Sequence, residues 1–205
     1  VSDAPITAMS MLLGGISVLA GDAVGAVTQL FPVRDENNDP QLRIVRSFPP
    51  HGSPVVRVIP EQRRKGFAVL DESGNLGVYH STSERQALFR PLAGGLPAAA
   101  ALSPRANGLL LFEPDGRLAM LRLDNEHPEV SLKSLWRKVW YENYQEPEFV
   151  WQSSAATNEF EPKFSLTPLA FGTLKAALYA MLFAVPLALL GAAYTAYFMA
   201  PQMRQ

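Results

Sequence analysis

Residues 171–203, FGTLKAALYAMLFAVPLALLGAAYTAYFMAPQM, hold no charged residue from Ala176 to Met203. An α-helix rises about 1.5 Å per residue, and about 20 apolar residues cross the hydrocarbon core of a bilayer. The run is therefore long enough to span with tilt. Residues 1–170 ahead of it read mostly as β-structure, so the sequence predicts an extramembrane domain followed by one transmembrane helix. Charge divides the same way. The last 35 residues carry only Lys175 and Arg204, which leaves 16 basic and 19 acidic residues in the first 170. So even a balance lacks the basic face that nucleic-acid binding needs, and no nucleic-acid partner is expected. There is no cysteine, which excludes disulfides and thiolate metal sites. The N-terminus lacks the basic-then-apolar order of a signal peptide. Its apolar run Ala8–Ala20 is too short to span and holds Gly14-Gly15, which fits a turn between strands. A start in mid-pattern predicts that the chain is part of a longer polypeptide.

Residues 1–130 carry a repeat. Ser17-Val-Leu-Ala-Gly-Asp leads to a turn at Gly25; Gly66-Phe-Ala-Val-Leu-Asp leads to one at Gly74; Gly108-Leu-Leu-Leu-Phe leads to one at Gly116. A second apolar strand follows each turn. The turn glycines are spaced 49 and 42 residues apart, and a four-stranded propeller blade of the WD40 sort repeats at about 40–45 residues. A blade buries its faces only against neighbours, so such repeats come in arrays. The strand Arg117–Leu123 is apolar on both faces in its middle, as a strand sandwiched between blades should be. A meander or sandwich with accidental spacing is the alternative. The fold expected is mainly β: about three blades of a partial β-propeller over 1–130, with the missing blades most simply placed upstream of Val1.

Candidate chemistry in this domain is thin. His51, His80 and His127 fall at separate turns without metal-ligand spacing and read as solvated loop histidines. Asp22, Asp71 and Glu113 each stand three residues before a turn glycine, a repeat position rather than a catalytic carboxylate pair. Arg63-Arg64-Lys65 reads as a solvated basic turn, with an anion or headgroup contact as the sharper alternative. No Gly-x-Ser-x-Gly and no P-loop occur. The expectation is a binding or spacing module, with no enzyme activity, no catalytic or metal residue and no cofactor.

Residues 131–170 form a connector. Leu132, Leu135, Trp136, Val139 and Trp140 recur at helical spacing with Lys133, Arg137 and Lys138 largely opposite. Two readings fit: an amphipathic helix at a membrane interface, or a helix capping the last blade. Gln152–Leu166 reads as a polar, extended strap. In the span, Pro186 should kink the helix. Lys175 sits about one turn in; snorkelling to the interface is its plain explanation and contact with a passing anion its sharp one. The few basic residues flanking the span do not settle topology, and acids count for little.

Phe171-Gly-Thr-Leu, Ala184-Val-Pro-Leu, Ala193-Tyr, Phe198 and Ala200-Pro201 together resemble the opening helix of the ABC-transporter permease core. The likeness is greatest to the C-type permease subunit of phosphate-specific importers. Leu135-Trp-Arg-Lys-Val-Trp-Tyr, Val150-Trp-Gln-Ser-Ser and Phe160-Glu-Pro-Lys-Phe-Ser-Leu are similar to its long form, which carries an extracytoplasmic insertion between the first and second membrane helices. The resemblance is specific over 135–203 and only architectural over 1–130. It implies a bacterial inner-membrane protein with its β-domain in the periplasm. It also implies a second permease subunit, two ATPase subunits that hydrolyse ATP, and a periplasmic phosphate-binding protein. Its motif positions in the span are Gly172, Thr173, Leu174, Pro186 and Pro201, and Lys175 is the one anion-contact candidate. The remaining helices and the coupling loop of a permease are missing from this stretch. The function expected is thus that of a fragment of a phosphate permease whose β-domain docks the binding protein or spaces it. The alternative is a membrane-tethered propeller scaffold without transport.

Overall fold

The structure, a computed structural model, describes residues 3–157 and 160–200. It divides into two compact units, residues 1–165 and 166–205.

The first unit is built on three antiparallel meanders of consecutive strands. Blade 1 is β1 (Ile6–Met11), β2 (Val18–Asp22), β3 (Val27–Arg34) and β4 (Pro40–Phe48). Blade 2 is β5 (Val55–Pro60), β6 (Gly66–Asp71), β7 (Asn75–His80) and β8 (Arg85–Pro91). Blade 3 has three strands, β9 (Ala99–Leu102), β10 (Gly108–Phe112) and β11 (Leu118–Arg122). In each sheet spatial order follows chain order, and β5 lies against both β1 and β9. The first strands of consecutive blades are therefore neighbours, as in a radial array. This is a partial β-propeller.

The repeat extends to irregularities of register. The β1–β2 pairing slips between Ile6 and Ala8, and the β5–β6 pairing slips between Val55 and Arg57, 49 residues on. The β3–β4 pairing slips between Gln29 and Leu30, and β7–β8 between Val78 and Tyr79, again 49 residues on. A bulge raises local twist and bends its strand, so bulges at matching places give two blades one curvature and let them stack.

The core lies between blades. Leu19, Val27 and Phe48 of blade 1 pack against Val55, Val58, Phe67, Val69 and Tyr79 of blade 2. The opposite face of blade 2, Ala68, Leu70, Leu76 and Val78, packs against Leu102, Leu109, Leu111 and Leu123. Each valine, leucine or phenylalanine among them, fully buried, stabilises the unit by about 1.5–3 kcal/mol. Every residue of β6 is buried. The two-faced burial expected of Arg117–Leu123 thus belongs to β6 and β7. In β11 only one face is covered: Ala119 and Leu121 join the core, while Leu118 and Met120 are exposed.

The connector departs from its expected form. Helix α1 is only Leu132–Trp136, capped by a Ser131–Ser134 box, and Val139 and Trp140 lie beyond it. The expected amphipathic helix therefore stops before Val139 and Trp140, and it buries Ser134 while Leu132 and Trp136 stay on its exposed side. The strap is anchored rather than loose. Strand β12 (Trp151–Gln152) pairs with β13 (Lys163–Phe164), and Glu161, Lys163 and Ser165 are buried.

The second unit contains α2 (Thr167–Phe198), 32 residues long with no buried residue. It begins four residues before the expected Phe171. Pro168 stands in its first turn, where no backbone donor is needed.

Candidate functional site

Three places concentrate polar or ionisable groups. The first is the set of blade turns. The Gly25, Gly74 and Gly116 amides each donate to the carbonyl of the acidic residue three positions earlier. All three glycines have positive φ, at 86°, 79° and 84°, a region where a side chain is strained. Asp22 Oδ1 accepts from the amides of Val24 and Ala26, and Asp71 Oδ1 from that of Asn75. Glu113 pairs instead with Arg117 at 3.0 Å. These acids hold hairpins, and the equivalent positions are shared architecture.

The second place corrects the histidine reading. His51 is buried: Nδ1 lies 3.1 Å from Asp71 Oδ2 and Nε2 lies 3.1 Å from the Tyr79 hydroxyl. An ionised carboxylate can only accept, so Nδ1 carries the proton and Nε2 accepts from the tyrosine. Burial lowers the pKa of His51, against the opposing hydrogen bond and charge of Asp71. Burial also pushes Tyr79 up to about 12, with Asp71 adding to the shift. The relay has the look of a catalytic triad, but Asp71 and Tyr79 are 0% exposed. It fastens the blade 1–blade 2 link to the β6–β7 turn. Leu30 and Leu121 occupy the position of Tyr79 in the other blades, so the relay belongs to blade 2. His80 is buried too, beside Ser83 at 3.2 Å. Burial, helped by Arg64, Arg46 and Arg85, pushes its pKa down to about 3. Only His127 is an exposed loop histidine.

The third place is a buried polar network that seats the connector on blades 1 and 2. Lys65 Nζ lies 2.5 Å from Glu142 Oε2, with both side chains at least 95% buried. Glu142 Oε1 accepts from Ser17 at 2.6 Å, and Ser17 accepts from Gln29 Nε2 at 2.8 Å. Gln29 Oε1 in turn accepts from Arg46 at 3.0 Å and from Ser81 at 2.6 Å. Arg46 also donates to the Trp140 carbonyl. Glu161 accepts from Thr82 and, at 3.0 Å, from the Glu142 amide. Burial lowers the pKa of Arg46, while Glu161, Glu84 and Glu142 pull it back up. Of the basic turn, then, Lys65 is a buried anchor and Arg64 pairs with Glu61 at 2.9 Å. Lys163 sits among rings, 4.9 Å from the centroid of Phe160, 5.5 Å from Tyr141 and 5.8 Å from Tyr144. Burial lowers its pKa, opposed by Glu161 and Glu142. Chemically this network is a lock. Its charged groups are buried and hydrogen-bonded to one another or to polar neighbours, so they hold the connector to the blades.

Helix α2 has the composition and length to cross a membrane. Two of its three threonine hydroxyls are satisfied internally, Thr173 by the Leu169 carbonyl and Thr195 by that of Gly191, each at 2.8 Å. Hydrocarbon offers no alternative partner, so this satisfaction matters there. Tyr179 lies toward one end and Tyr194 and Tyr197 toward the other, as interfacial anchors do. The Lys175 ammonium lies over the Tyr179 ring at 5.7 Å. Gly172 and Gly191 have open space where a Cβ would stand. The helix is continuous through Pro186. Gly172, Thr173, Leu174 and Lys175 therefore share the first turns of one helix with Pro186 near its middle, while Pro201 lies outside the described residues. Among the described residues no group of three or more His, Asp or Glu could hold a metal ion.

Sequence reasoning missed the network because its members are scattered between Ser17 and Lys163. Their only local signal was polarity inside otherwise apolar stretches. No protein-family model matches the chain, and no curated protein matches it. Among solved structures it is similar to Sqt1 from Chaetomium thermophilum, with 16% identity and a TM-score of 0.48. That match covers 58% of this chain and 31% of the other.

Proposed function

We propose that this chain is part of the permease subunit of a phosphate ABC importer, its blade unit being an extracytoplasmic docking or spacing module. The observation that carries the reading is the join itself: a β-unit of stacked blades is followed, with only Leu166 between, by a 32-residue apolar helix with no buried side chain. Such a helix belongs in lipid or against other membrane helices. The likeness of residues 135–203 to the permease core supplies the identity of the transporter. In that setting α2 forms part of the wall around the translocation path, with Pro186 as a site of adjustable backbone. The blade unit supplies surface rather than chemistry, since its buried polar groups are consumed in holding blades and connector together. ATP hydrolysis resides in partner subunits, phosphate arrives from a periplasmic binding protein, and the compartment is the bacterial inner membrane.

The test is uptake of radiolabelled phosphate at limiting concentration in cells from which the gene has been removed, then restored. Loss of uptake with rescue supports the reading. Unchanged uptake refutes it and leaves a membrane-tethered scaffold. A second strain keeps every membrane span but lacks the blades before Ser131. If it inserts normally yet fails in uptake, docking is favoured over spacing.

A further inference from the structure

The two outer blades expose the faces that the middle blade has covered. In β6 and β7, Ala68, Leu70, Leu76 and Val78 are buried against blade 3. The same places in β10 and β11, 42 residues on, hold Leu110, Phe112, Leu118 and Met120, exposed by 46%, 43%, 69% and 73%. At the other end, Val55 and Val58 of β5 are buried against blade 1. Their equivalents 49 residues earlier, Ile6 and Met9, are 50% and 70% exposed. A lone exposed leucine needs no explanation, but an apolar row along one sheet face marks an interaction surface. Arrays of stacked repeats that stop do so on a repeat with a polar outer face. Neither outer blade has one. Among the described residues blade 3 has no fourth strand, so β11 has an edge without a strand partner where β7 is covered by β8.

The two free faces are unlike, since one matches the trailing face of blade 2 and the other its leading face. Stacking on them is head-to-tail, which continues the array and closes it into a ring where the rotation from blade to blade completes a turn. We propose that further blades of the same repeat, carried by the same polypeptide and preceding β1 in chain order, cover both faces. Chain order is the reason for that source. Both blade interfaces present join consecutive blades through short links, residues 49–54 and 92–98. The residues after blade 3 are already committed, first to the connector locked onto blades 1 and 2, then to α2. The blade meeting Leu110, Phe112, Leu118 and Met120 therefore presents a leading face of branched and aromatic residues like Val55, Val58, Phe67 and Tyr79. This inference is independent of transport and holds equally for a scaffold.

Residues 1–205 contain no cysteine, so single thiols report directly. Leu118→Cys and Met120→Cys would be placed in the polypeptide as the cell makes it and, separately, in residues 1–205, with Asn37→Cys at an exposed hairpin tip as the reference. Covered faces should slow maleimide modification of the two blade 3 thiols by about tenfold or more in the cellular polypeptide relative to residues 1–205. The Asn37 position should react equally in both. Hydrogen exchange at the β11 amides, which needs no substitution, should slow in parallel. Equal rates in both forms overturn the proposal. So does protection already present in residues 1–205 together with a dimeric mass, because a second copy would then be the cover.

Discussion

Removing one partner of the Lys65–Glu142 pair tests whether the connector is locked or merely adjacent. The pair is 2.5 Å apart with side chains 2% and 5% exposed, so solvent cannot take the place of a lost partner. Lys65→Met keeps the volume of the stem and deletes the ammonium. The Glu142 carboxylate is then left buried with the Ser17 hydroxyl, and the Leu13 carbonyl loses its donor. Breaking a buried pair in this way costs about 3–5 kcal/mol. With a urea m-value of about 2 kcal/mol per molar, the unfolding midpoint should fall by about 2 M. Unfolding of the detergent-solubilised chain can be followed by the fluorescence of Trp140, whose carbonyl is in the network. Glu142→Gln, which strands Lys65 instead, should cost a similar amount. The double variant should cost clearly less than the sum, because the two residues are in contact. If each single variant costs under about 0.5 kcal/mol, the pair behaves as a solvated surface bridge and the reasoning fails.

Three further outcomes are expected. Burial holds the His80 pKa near 3 in the folded state against an ordinary 6.5, so the unfolded chain binds the extra proton. The stability that depends on neutral His80 is therefore complete above about pH 6.5 and is lost as pH falls toward about 3, at up to about 1.4 kcal/mol per pH unit. Urea midpoints compared across that window should show a shallower slope in His80→Gln, and identical slopes would contradict the burial argument. A Cβ added at Gly77 would meet the Tyr79 ring and come within 2.7 Å of His51 Nε2. Gly77→Ala should thus cost about 1–3 kcal/mol in thermal or urea unfolding, and a neutral result would mean that the relay is not tightly packed. Leu187 lies near the middle of α2, where an arginine costs about 2.5–3.5 kcal/mol of insertion free energy. Leu187→Arg should shift carbonate-extracted protein from the membrane pellet toward the soluble fraction, and unaltered partitioning would argue against a span.

The repeat was legible because turn chemistry is local. An acid three residues before a glycine that must adopt positive φ is visible in any one blade, and three copies at blade spacing state the period. The apolar span was legible for the same reason, being a property of contiguous residues. Its start lies four residues earlier than expected because Thr167 and Pro168 suit a first helical turn without sharing the apolar character of the later turns. The connector misled more seriously. Leu132, Leu135, Trp136, Val139 and Trp140 have helical spacing, yet extended backbone after Trp136 brings the Trp140 carbonyl to Arg46 and Glu142 to Lys65. Buried charges need partners more than a short isolated helix needs another turn.

The sequence by itself determined the blade turns, the strand period, the charge-free helix and the boundary between them, because each depends on residues within a few positions of one another. Only the tertiary structure decided the fate of the polar residues. His51, His80 and Lys65 look like solvated loop groups until the fold buries them, bringing Asp71 to His51 from 20 residues away and Glu142 to Lys65 from 77. Which apolar rows are core and which are surface was likewise decided by stacking. Leu76 and Leu118 hold the same place in their blades, and one is buried while the other is exposed because only one has a neighbouring blade.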